Sequence, residues 1–351
     1  MSAWSALKRI ALALFLLSAL IVGGAAYWGW THYTSFASAP LPGVEEGDSL
    51  VVERGDSLRR VVTRLRGQGN SAGSDIEWRL LARQLGAGDR IQVGEYALEP
   101  GITPSQLLLR MRDGKVVHHR VTIVEGWNIR ELRAALARAT PLVQTLHELD
   151  DAALMAALGR EGVHPEGRFL PETYAYTTGD TDLDLLRRAA ADLDSALDAA
   201  WDARADNLPI SSKDEALVLA SIVEKETGIA EERARIAGVF TRRLRIGMRL
   251  QTDPTVIYGM GSSYAGNIRR ADLLADTPYN TYTRDGLPPT PIAMAGRDAL
   301  RAATQPAEGD DLYFVAVGDG SGRHVFSPSL DAHNTAVREY VRRYRQQHAP
   351  R

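Results

Sequence analysis

An uncharged apolar run near the N-terminus constrains this chain more than any other feature. Residues 10–30 (IALALFLLSALIVGGAAYWGW) match the roughly 20 residues that a membrane-spanning helix needs. Lys8 and Arg9 precede the run, and Trp28 and Trp30 stand near its far end, where aromatic rings favour the membrane interface. We therefore predict a single-pass protein of the plasma (inner) membrane, with a cytoplasmic N-terminus and the rest of the chain on the outer, periplasmic side.

A cleaved signal peptide is the alternative interpretation of this run. Ala37, Ser38 and Ala39 resemble a small-residue cleavage site. However, the run is longer than the apolar core of a signal peptide, which has about 7–15 residues, and Pro40 would follow the cut. The pattern favours an uncleaved anchor over residues 1–33, followed by a linker rich in Ser, Pro and Gly over residues 34–48.

The overall composition excludes several classes of function. A net charge of −3 provides no basic field, so we predict no nucleic-acid partner. The chain has no cysteine, which excludes disulfides, thiolate metal sites and cysteine nucleophiles. Its eight histidines are scattered, and the adjacent pair His118 and His119 would point to opposite faces of a strand. We therefore predict neither a metal nor a cofactor.

The chain beyond the linker predicts an α+β protein with two parts. Residues 49–116 read as a small α/β module, in which Thr103 and Gln106 form a capping box before a short helix. Residues 117–347 read as a larger mixed α/β domain. Its predicted elements are a strand at 117–124, a helix at 129–139, mostly helical chain at 140–200, helices at 213–228 and 231–246, a loop-rich stretch at 251–291, a hairpin of 312–317 with 324–327, and a helix at 330–346.

The helix predicted to end near Gly228 carries the first candidate for chemistry. Its apolar run, residues 216–223, leads directly into Glu224 and Glu226. A carboxylic acid buried in a pocket has a raised pKa, which is the property needed to protonate a leaving group near neutral pH. Helical spacing places each glutamate on an apolar face and cannot choose between them. The alternative is a helix whose last turn surfaces into water.

The loop-rich stretch carries the second group of candidates. Gln251, Asp253, Tyr279, Asn280 and Tyr282 combine hydrogen-bonding groups with flat aromatic rings. Sugar binding uses this mixture, because hydroxyls need donors and acceptors while the apolar faces of a pyranose stack on rings. A connector whose polar side chains satisfy local turns is the alternative.

At these residues the sequence resembles the YceG-like family, whose characterised members are endolytic murein transglycosylases. The resemblance is carried by the stretches VTIVEGW, EGRFLPETY, LASIVEKET, RIAGVFTRRLRIGMRLQTDPTVIYGMG, TPYNTYTRDGLPPTPIA and LYFVAVGDGSGRHVFSPSLDAHN. Upstream, VVERGDSLRRVVTRL resembles the start of a LysM repeat, so residues 49–116 are expected to be LysM-like and residues 117–347 to be the catalytic domain.

The resemblance implies a mechanism and assigns the first glutamate of IVEKET, Glu224, as the catalytic residue. Glu226 and the pair Glu231 and Glu232 then become structural or surface residues. The implied reaction cleaves the β-1,4 bond between MurNAc and GlcNAc in peptidoglycan and leaves a 1,6-anhydro-MurNAc end. One carboxyl group can act first as acid and then as base, because the attacking C6 hydroxyl belongs to the substrate itself.

Two alternatives stay open. A two-carboxylate hydrolase would need a partner for Glu224, for which the sequence offers Asp253, Glu166 or Glu172. A non-enzymatic protein would bind the wall through its LysM-like module and position peptidoglycan synthases. The resemblance also suggests that the enzyme itself acts on nascent glycan strands beside these synthases, the penicillin-binding proteins.

Overall fold

The computed structural model describes residues 3–69 and 72–347. The described chain forms two compact units. The N-terminal unit runs to His119 and includes Thr177–Gly179, and the C-terminal unit consists of Arg120–Tyr176 and the chain from Asp180 onward. Each unit contains both helices and strands. The predicted mixed architecture with one apolar N-terminal helix is therefore confirmed, whereas the LysM-like character of residues 49–116 stays a prediction.

The apolar run lies in a long helix, α1 (Ala3–Ser38). Its stretch Leu7–Ser38 is long and apolar enough to cross a membrane by length and composition. The helix continues past Tyr33, so the linker predicted to begin at residue 34 starts as helix. The reason is packing, because Phe36 is buried against the ring of Trp78 at a centroid distance of 5.4 Å.

The N-terminal unit surrounds a small antiparallel sheet. Its elements after α1 are β1 (Ser49–Val52), α2 (Leu58–Gly67), α3 (Asp75–Gln84), β2 (Gly94–Ala97) and α4 (Pro104–Asp113). The two strands pair with Leu50 opposite Tyr96, and both side chains are fully buried. The predicted capping box of Thr103 and Gln106 is present at the start of α4.

The C-terminal unit is mainly helical, with two separate strand pairs. Its elements are β3 (His119–Thr122), α5 (Ile129–Arg138), α6 (Asp151–Ala157), β4 (Thr173–Tyr176), α7 (Asp182–Asp202), α8 (Lys213–Glu226), α9 (Ala230–Arg245), α10 (Asp253–Met260), α11 (Arg270–Leu274), α12 (Arg297–Thr304), β5 (Tyr313–Ala316), β6 (His324–Ser327) and α13 (Leu330–Gln347). Strand β3 pairs with β4, and β5 pairs with β6 as the predicted hairpin.

Three predictions for this unit need correction. Residues 140–200 contain β4 as well as helices, and the loop-rich stretch 251–291 contains α10 and α11. Helix α8 ends at Glu226, where Thr227 is the C-cap residue with φ of −148°, so Gly228 is not a left-handed cap. The Thr227 hydroxyl instead accepts a hydrogen bond from the Ile229 amide at 3.0 Å.

The core of the C-terminal unit lies around α8. Every residue from 216 to 223 is buried, because α8 packs against α7, α9 and α12. A helix that is covered on all sides has no single apolar stripe. This is the physical reason why helical spacing could not choose between Glu224 and Glu226.

Candidate active site

The last turn of α8 holds the first predicted acid at the edge of this core. The side chain of Glu224 is only 4% exposed although it follows the helix's final apolar residue. Ser212 caps the opposite end of the helix by accepting a hydrogen bond from the Glu215 amide at 3.1 Å. The buried run anchors α8, and the position of the Glu224 carboxyl group is thereby set by the core.

Two groups contact the Glu224 carboxylate directly. The Gly296 amide donates a hydrogen bond to Oε2 at 2.9 Å, and Arg233 donates from Nη2 to Oε1 at 3.3 Å. Gly296 is the N-cap residue of α12, and Arg233 lies in the first turns of α9. The acid therefore sits where three helices of the core, α8, α9 and α12, come together.

A second carboxylate adjoins this site. Glu125 Oε2 lies 3.6 Å from the same Arg233 Nη2 atom. It also packs close to Gly296, because a Cβ atom added to that glycine would lie 2.0 Å from Glu125 Oε1. The side chain of Glu125 is 49% exposed. Sequence reasoning assigned no role to this residue, although it lies within the stretch VTIVEGW.

The pKa of the Glu224 carboxyl group is raised above its ordinary value. Burial is the largest cause, since a poorly solvated site disfavours the charged form. The Gly296 hydrogen bond lowers this pKa, the negative charge of Glu125 raises it, and Arg233 lowers it. The net effect keeps the acid protonated at higher pH than an ordinary glutamic acid, as a proton donor requires.

The segment 292–296 connects these parts. The Ile292 amide donates to the buried Ser221 hydroxyl of α8 at 3.0 Å. The Met294 amide donates to the Trp127 carbonyl at 2.7 Å, and the Gly126 amide donates to the Met294 carbonyl at 2.9 Å. These bonds bring the glycine that contacts Glu224 and the stretch that carries Glu125 to the same place.

Arg233 is held between the two carboxylates. Its side chain is 11% exposed, and its Nε atom is buried with no hydrogen-bond partner among the described residues. A buried guanidinium needs compensating negative charge. Glu125 supplies it here, and Glu224 adds to it whenever its carboxyl group is ionised.

The second glutamate of the motif belongs to a different cluster. Glu226 accepts a hydrogen bond from the Thr252 hydroxyl. Burial raises the pKa of Glu226 to about 7, the Thr252 bond lowers it, Asp253 raises it, and His324 and Arg243 lower it. Both glutamates thus have raised pKa values, so burial alone does not distinguish the acid.

The five residues predicted to bind sugar fall into distinct surroundings. Asp253 begins α10 and accepts a hydrogen bond from the Tyr282 hydroxyl at 2.6 Å, close to Glu226. Gln251 is exposed and has a φ of 48°, and its amide donates to the Thr281 carbonyl at 3.1 Å. The structure therefore brings Asp253 and Tyr282 together beside the last turn of α8.

The other two predicted residues lie further along the same loop. The Tyr279 hydroxyl is 2.9 Å from the Thr290 hydroxyl, and its ring meets that of Tyr258 edge-on at 4.8 Å. Asn280 is 1% exposed, and its side-chain nitrogen donates to the carbonyls of Asp272, Leu273 and Ala275. The Asn280 amide thus stabilises its own loop in this structure.

The remaining candidate carboxylates are placed away from the contacts of Glu224. Glu166 is 1% exposed and accepts from the Ile129 amide at 3.1 and 3.2 Å. Burial raises its pKa to about 7, while the bonds from Ile129 and Tyr258 lower it. Glu172 is exposed. Within residues 3–69 and 72–347, no group of three or more acidic or histidine side chains has the arrangement of a metal site.

Comparison with known proteins defines the class of this chain. Residues 50–339 match the model of the YceG-like family. The chain belongs to the YceG-like family, and the resemblance seen in the sequence is confirmed.

Individual relatives support this membership. A protein of Bacillus subtilis (strain 168) named endolytic murein transglycosylase is 30% identical over 343 residues, which are 92% of this chain and 91% of that protein. A protein of the same name from Streptococcus pneumoniae serotype 2 (strain D39 / NCTC 7466) is 33% identical over 182 residues, 50% of this chain and 32% of its own length. The 2.6 Å crystal structure of a YceG-like protein from Listeria monocytogenes gives a TM-score of 0.51 at 27% identity, covering 83% of this chain and 99% of that one.

Proposed function

We propose that this protein is a membrane-anchored peptidoglycan lytic transglycosylase with Glu224 as its general acid and base. Relatives named endolytic murein transglycosylase support the enzyme class. The observation that carries the residue assignment is the arrangement of the buried Glu224 carboxyl, whose oxygens accept from the Gly296 amide and Arg233 beside Glu125. The substrate is the glycan strand, and the cleaved bond is the β-1,4 bond between MurNAc and GlcNAc.

The chemistry needs one proton donor that becomes a proton acceptor. Protonated Glu224 gives its proton to the glycosidic oxygen, the bond from that oxygen to C1 of MurNAc breaks, and GlcNAc leaves with a free 4-hydroxyl. The C6 hydroxyl oxygen of the same MurNAc bonds to C1, and its proton passes to the Glu224 carboxylate. The products contain a 1,6-anhydro-MurNAc end, no water is consumed, and the acid returns to its starting state.

The neighbours of Glu224 suit these two roles. Burial and the charge of Glu125 favour the protonated form before the reaction. After the proton has left, Arg233 and the Gly296 amide stabilise the carboxylate that must act as base. Asp253 and Tyr282 remain our proposed sugar contacts together with Gln251 and Tyr279, whereas Asn280 would contribute by holding the loop.

The anchor places the enzyme at the membrane face of the wall. One N-terminal apolar helix is compatible with a single-pass protein. From Lys8 and Arg9 we infer a cytoplasmic N-terminus in the plasma (inner) membrane, with both units outside. At that position nascent strands and the synthases that make them would be the neighbours, and the LysM-like module would be the part that faces glycan.

Product analysis tests the proposal. Full-length protein in detergent is incubated with purified glycan strands, and mass spectrometry is expected to detect fragments with anhydro ends. Glu224→Gln keeps the shape of the side chain but has no acidic proton to donate, so a loss of rate of roughly 10²- to 10⁴-fold is expected, which is the range that general acid–base catalysis provides. Glu226→Gln is the matched control and is expected to retain most activity.

The alternatives give different products. A two-carboxylate hydrolase needs a second carboxylate beside Glu224. The position of Glu125 makes it a better candidate for that role than the residues that the sequence suggested. Reducing ends in place of anhydro ends would establish that hydrolase. Full activity of Glu224→Gln would exclude Glu224 as the acid, and no product from wild-type protein would favour the wall-binding scaffold.

A further inference from the structure

Helix α3 of the N-terminal unit exposes an apolar pair that its own core leaves uncovered. Trp78, Leu81 and Ala82 point into the core. On the opposite side, Ile76 is 61% exposed and Leu80 is 53% exposed, one helical turn apart. Exposed arginines flank the pair. We define the outer face of α3 as Ile76, Arg79, Leu80 and Arg83.

Helix α3 is attached to the end of α1 by three contacts. His32 Nε2 lies 3.5 Å from Glu77 Oε1, and the Tyr33 hydroxyl donates a hydrogen bond to Gln84 Oε1. The third contact is the packing of Phe36 on Trp78. Glu77 and Gln84 are about 10 Å apart along α3, yet they meet consecutive residues of α1. Helix α3 therefore crosses α1 steeply, at the level of His32 and Tyr33.

The level of this crossing would coincide with the edge of a membrane that α1 spans up to Trp30. The strongly apolar run ends at Trp30, and Tyr33 lies three residues further, about 4.5 Å along the helix axis. The headgroup layer on each side of a bilayer is roughly 5–7 Å thick. If α1 spans the bilayer up to Trp30, α3 lies within the headgroup layer and roughly parallel to its plane.

The sequence of contacts also indicates which side of α3 faces the lipid. Phe36, which is farthest from the apolar run, contacts the core-facing Trp78 of α3. Tyr33 and His32, which are nearer to that run, contact Gln84 and Glu77 on a different side of α3. Helical positions advance by about 100° per residue. Rotation about the α3 axis from Trp78 past Glu77 and Gln84 therefore next reaches Leu80 and then Ile76. The outer face of α3 thus lies on the membrane side of the crossing.

We propose that the outer face of α3 rests on the lipid bilayer that α1 spans, with Ile76 and Leu80 entering the interface and Arg79 and Arg83 contacting anionic headgroups. Helices with this division of apolar and basic residues bind in the plane of a membrane surface, and arginine side chains reach from buried stems to headgroups. The proposal rests on the proposed membrane anchor. It fixes the N-terminal unit against the membrane through two elements, α1 and α3.

The absence of cysteine from the sequence permits a direct test with single labels. Full-length Leu80→Cys is labelled with a nitroxide and reconstituted in vesicles that contain anionic lipid. Accessibility to oxygen, which concentrates in lipid, is compared with accessibility to a water-soluble nickel complex. Glu99→Cys is the reference, because Glu99 is 66% exposed and belongs to the turn before Ile102, which binds Leu41 beyond the end of α1.

The expected result is a shift toward oxygen at position 80 relative to position 99. Equal accessibility at the two positions would overturn the proposal. Leu20→Cys, on the exposed part of α1, separates this outcome from failure of the anchor. A label at position 20 that is accessible to the nickel complex contradicts the membrane anchor itself. A label in lipid at position 20 together with a label in water at position 80 contradicts only the contact of α3 with the bilayer.

A charge reversal tests the role of the arginines. Arg79→Glu combined with Arg83→Glu is expected to shift a label at Ile76→Cys toward the nickel complex in anionic vesicles. In vesicles of neutral lipid the same double substitution is expected to change the accessibility less. If the accessibility of this label in anionic vesicles does not change, the proposed contact of Arg79 and Arg83 with headgroups is wrong.

Discussion

The carboxyl group of Glu224 is subject to opposing influences from a few neighbours. Burial and the negative charge of Glu125 favour its protonated form, while the Gly296 amide and Arg233 favour the carboxylate. The balance raises its pKa, so the acidic proton is retained at higher pH than in an ordinary glutamic acid. A reaction that uses this proton therefore loses rate as the pH rises through the pKa of Glu224.

Removing one neighbour is expected to move this basic limb of the pH–rate profile. Glu125→Gln removes a negative charge, which lowers the pKa of Glu224 and shifts the fall in kcat/KM to lower pH. Arg233→Gln removes a positive charge and is expected to shift the fall to higher pH. Initial rates of anhydro-product release between pH 4 and 9 measure both shifts.

The control for these variants is Glu231→Gln. Glu231 is an exposed carboxylate two residues before Arg233 on the same helix. Glu231→Gln changes the net charge by the same amount as Glu125→Gln, but the pH at which kcat/KM falls is expected to stay the same. If the pH at which kcat/KM falls were the same in Glu125→Gln, Arg233→Gln and wild type, the fall would report the pKa of a group other than Glu224.

Single residues were only partly predictable from the sequence. The pattern identified Glu224 and Glu226 as equal candidates, because both lie in the last turn of a helix whose preceding residues 216–223 are all buried. Glu125 was missed, since its proximity to Glu224 depends on contacts between chain segments about 100 and 170 residues apart. The one available signal was its place in a stretch that resembles the family. Asn280 was recognised as polar, but its burial depends on how the loop closes on itself.

Helix α8 and the segment 292–296 together form the frame of the site. Ser221 joins them, because its hydroxyl donates to the Val218 carbonyl at 2.7 Å and accepts from the Ile292 amide at 3.0 Å. Four residues further along that segment, Gly296 contacts Glu224. Displacing the segment from the helix would therefore alter the acid as well as the core.

Ser221→Ala is expected to reduce both stability and activity. It leaves the buried Ile292 amide without its side-chain acceptor, which lowers the free energy of unfolding by about 1–2 kcal/mol. Because the segment then moves relative to Glu224, kcat is expected to fall about tenfold, equivalent to roughly 1.4 kcal/mol in the activation barrier. Denaturant unfolding and product release provide the two measurements.

Ser212→Ala separates the two effects. Ser212 caps the other end of α8, and losing this cap costs about 1 kcal/mol of stability. Its kcat is expected to match wild type, because the site lies at the opposite end of the helix. If both variants reduced kcat equally, the activity loss would reflect general destabilisation and the frame would have no specific role.

Elements were more predictable than their contacts. Strong local signals placed α4, α5, α8, α9 and the β5–β6 hairpin, whose caps and periodicity lie within a short window. Helix α12 was not predicted, although Ala299, Leu300 and Ala303 give it a buried face. It is short, and it follows a proline-rich loop, so tertiary packing against α8 rather than local propensity stabilises it.

At the scale of the whole molecule, helix α1 is continuous with the rest of the N-terminal unit. The apolar run was evident from composition alone. Its continuation as helix to Ser38 was not, because the residues that stabilise it, Tyr33 and Phe36, are partners of Gln84 and Trp78 far along the chain. The end of α1 is consequently part of the core of the N-terminal unit.

A pair of soluble fragments tests this continuity. A fragment beginning at Thr31 keeps Tyr33 and Phe36, whereas one beginning at Ala39 lacks both. Losing the buried Phe36 ring alone is expected to cost about 3–5 kcal/mol, so the shorter fragment should lose hydrogen-exchange protection in α3 and α4. Peptides from α8 are the internal control and should exchange alike in both fragments. Equal protection of α3 would show that the N-terminal unit folds without the end of α1, and that the helix is a tether rather than part of the core.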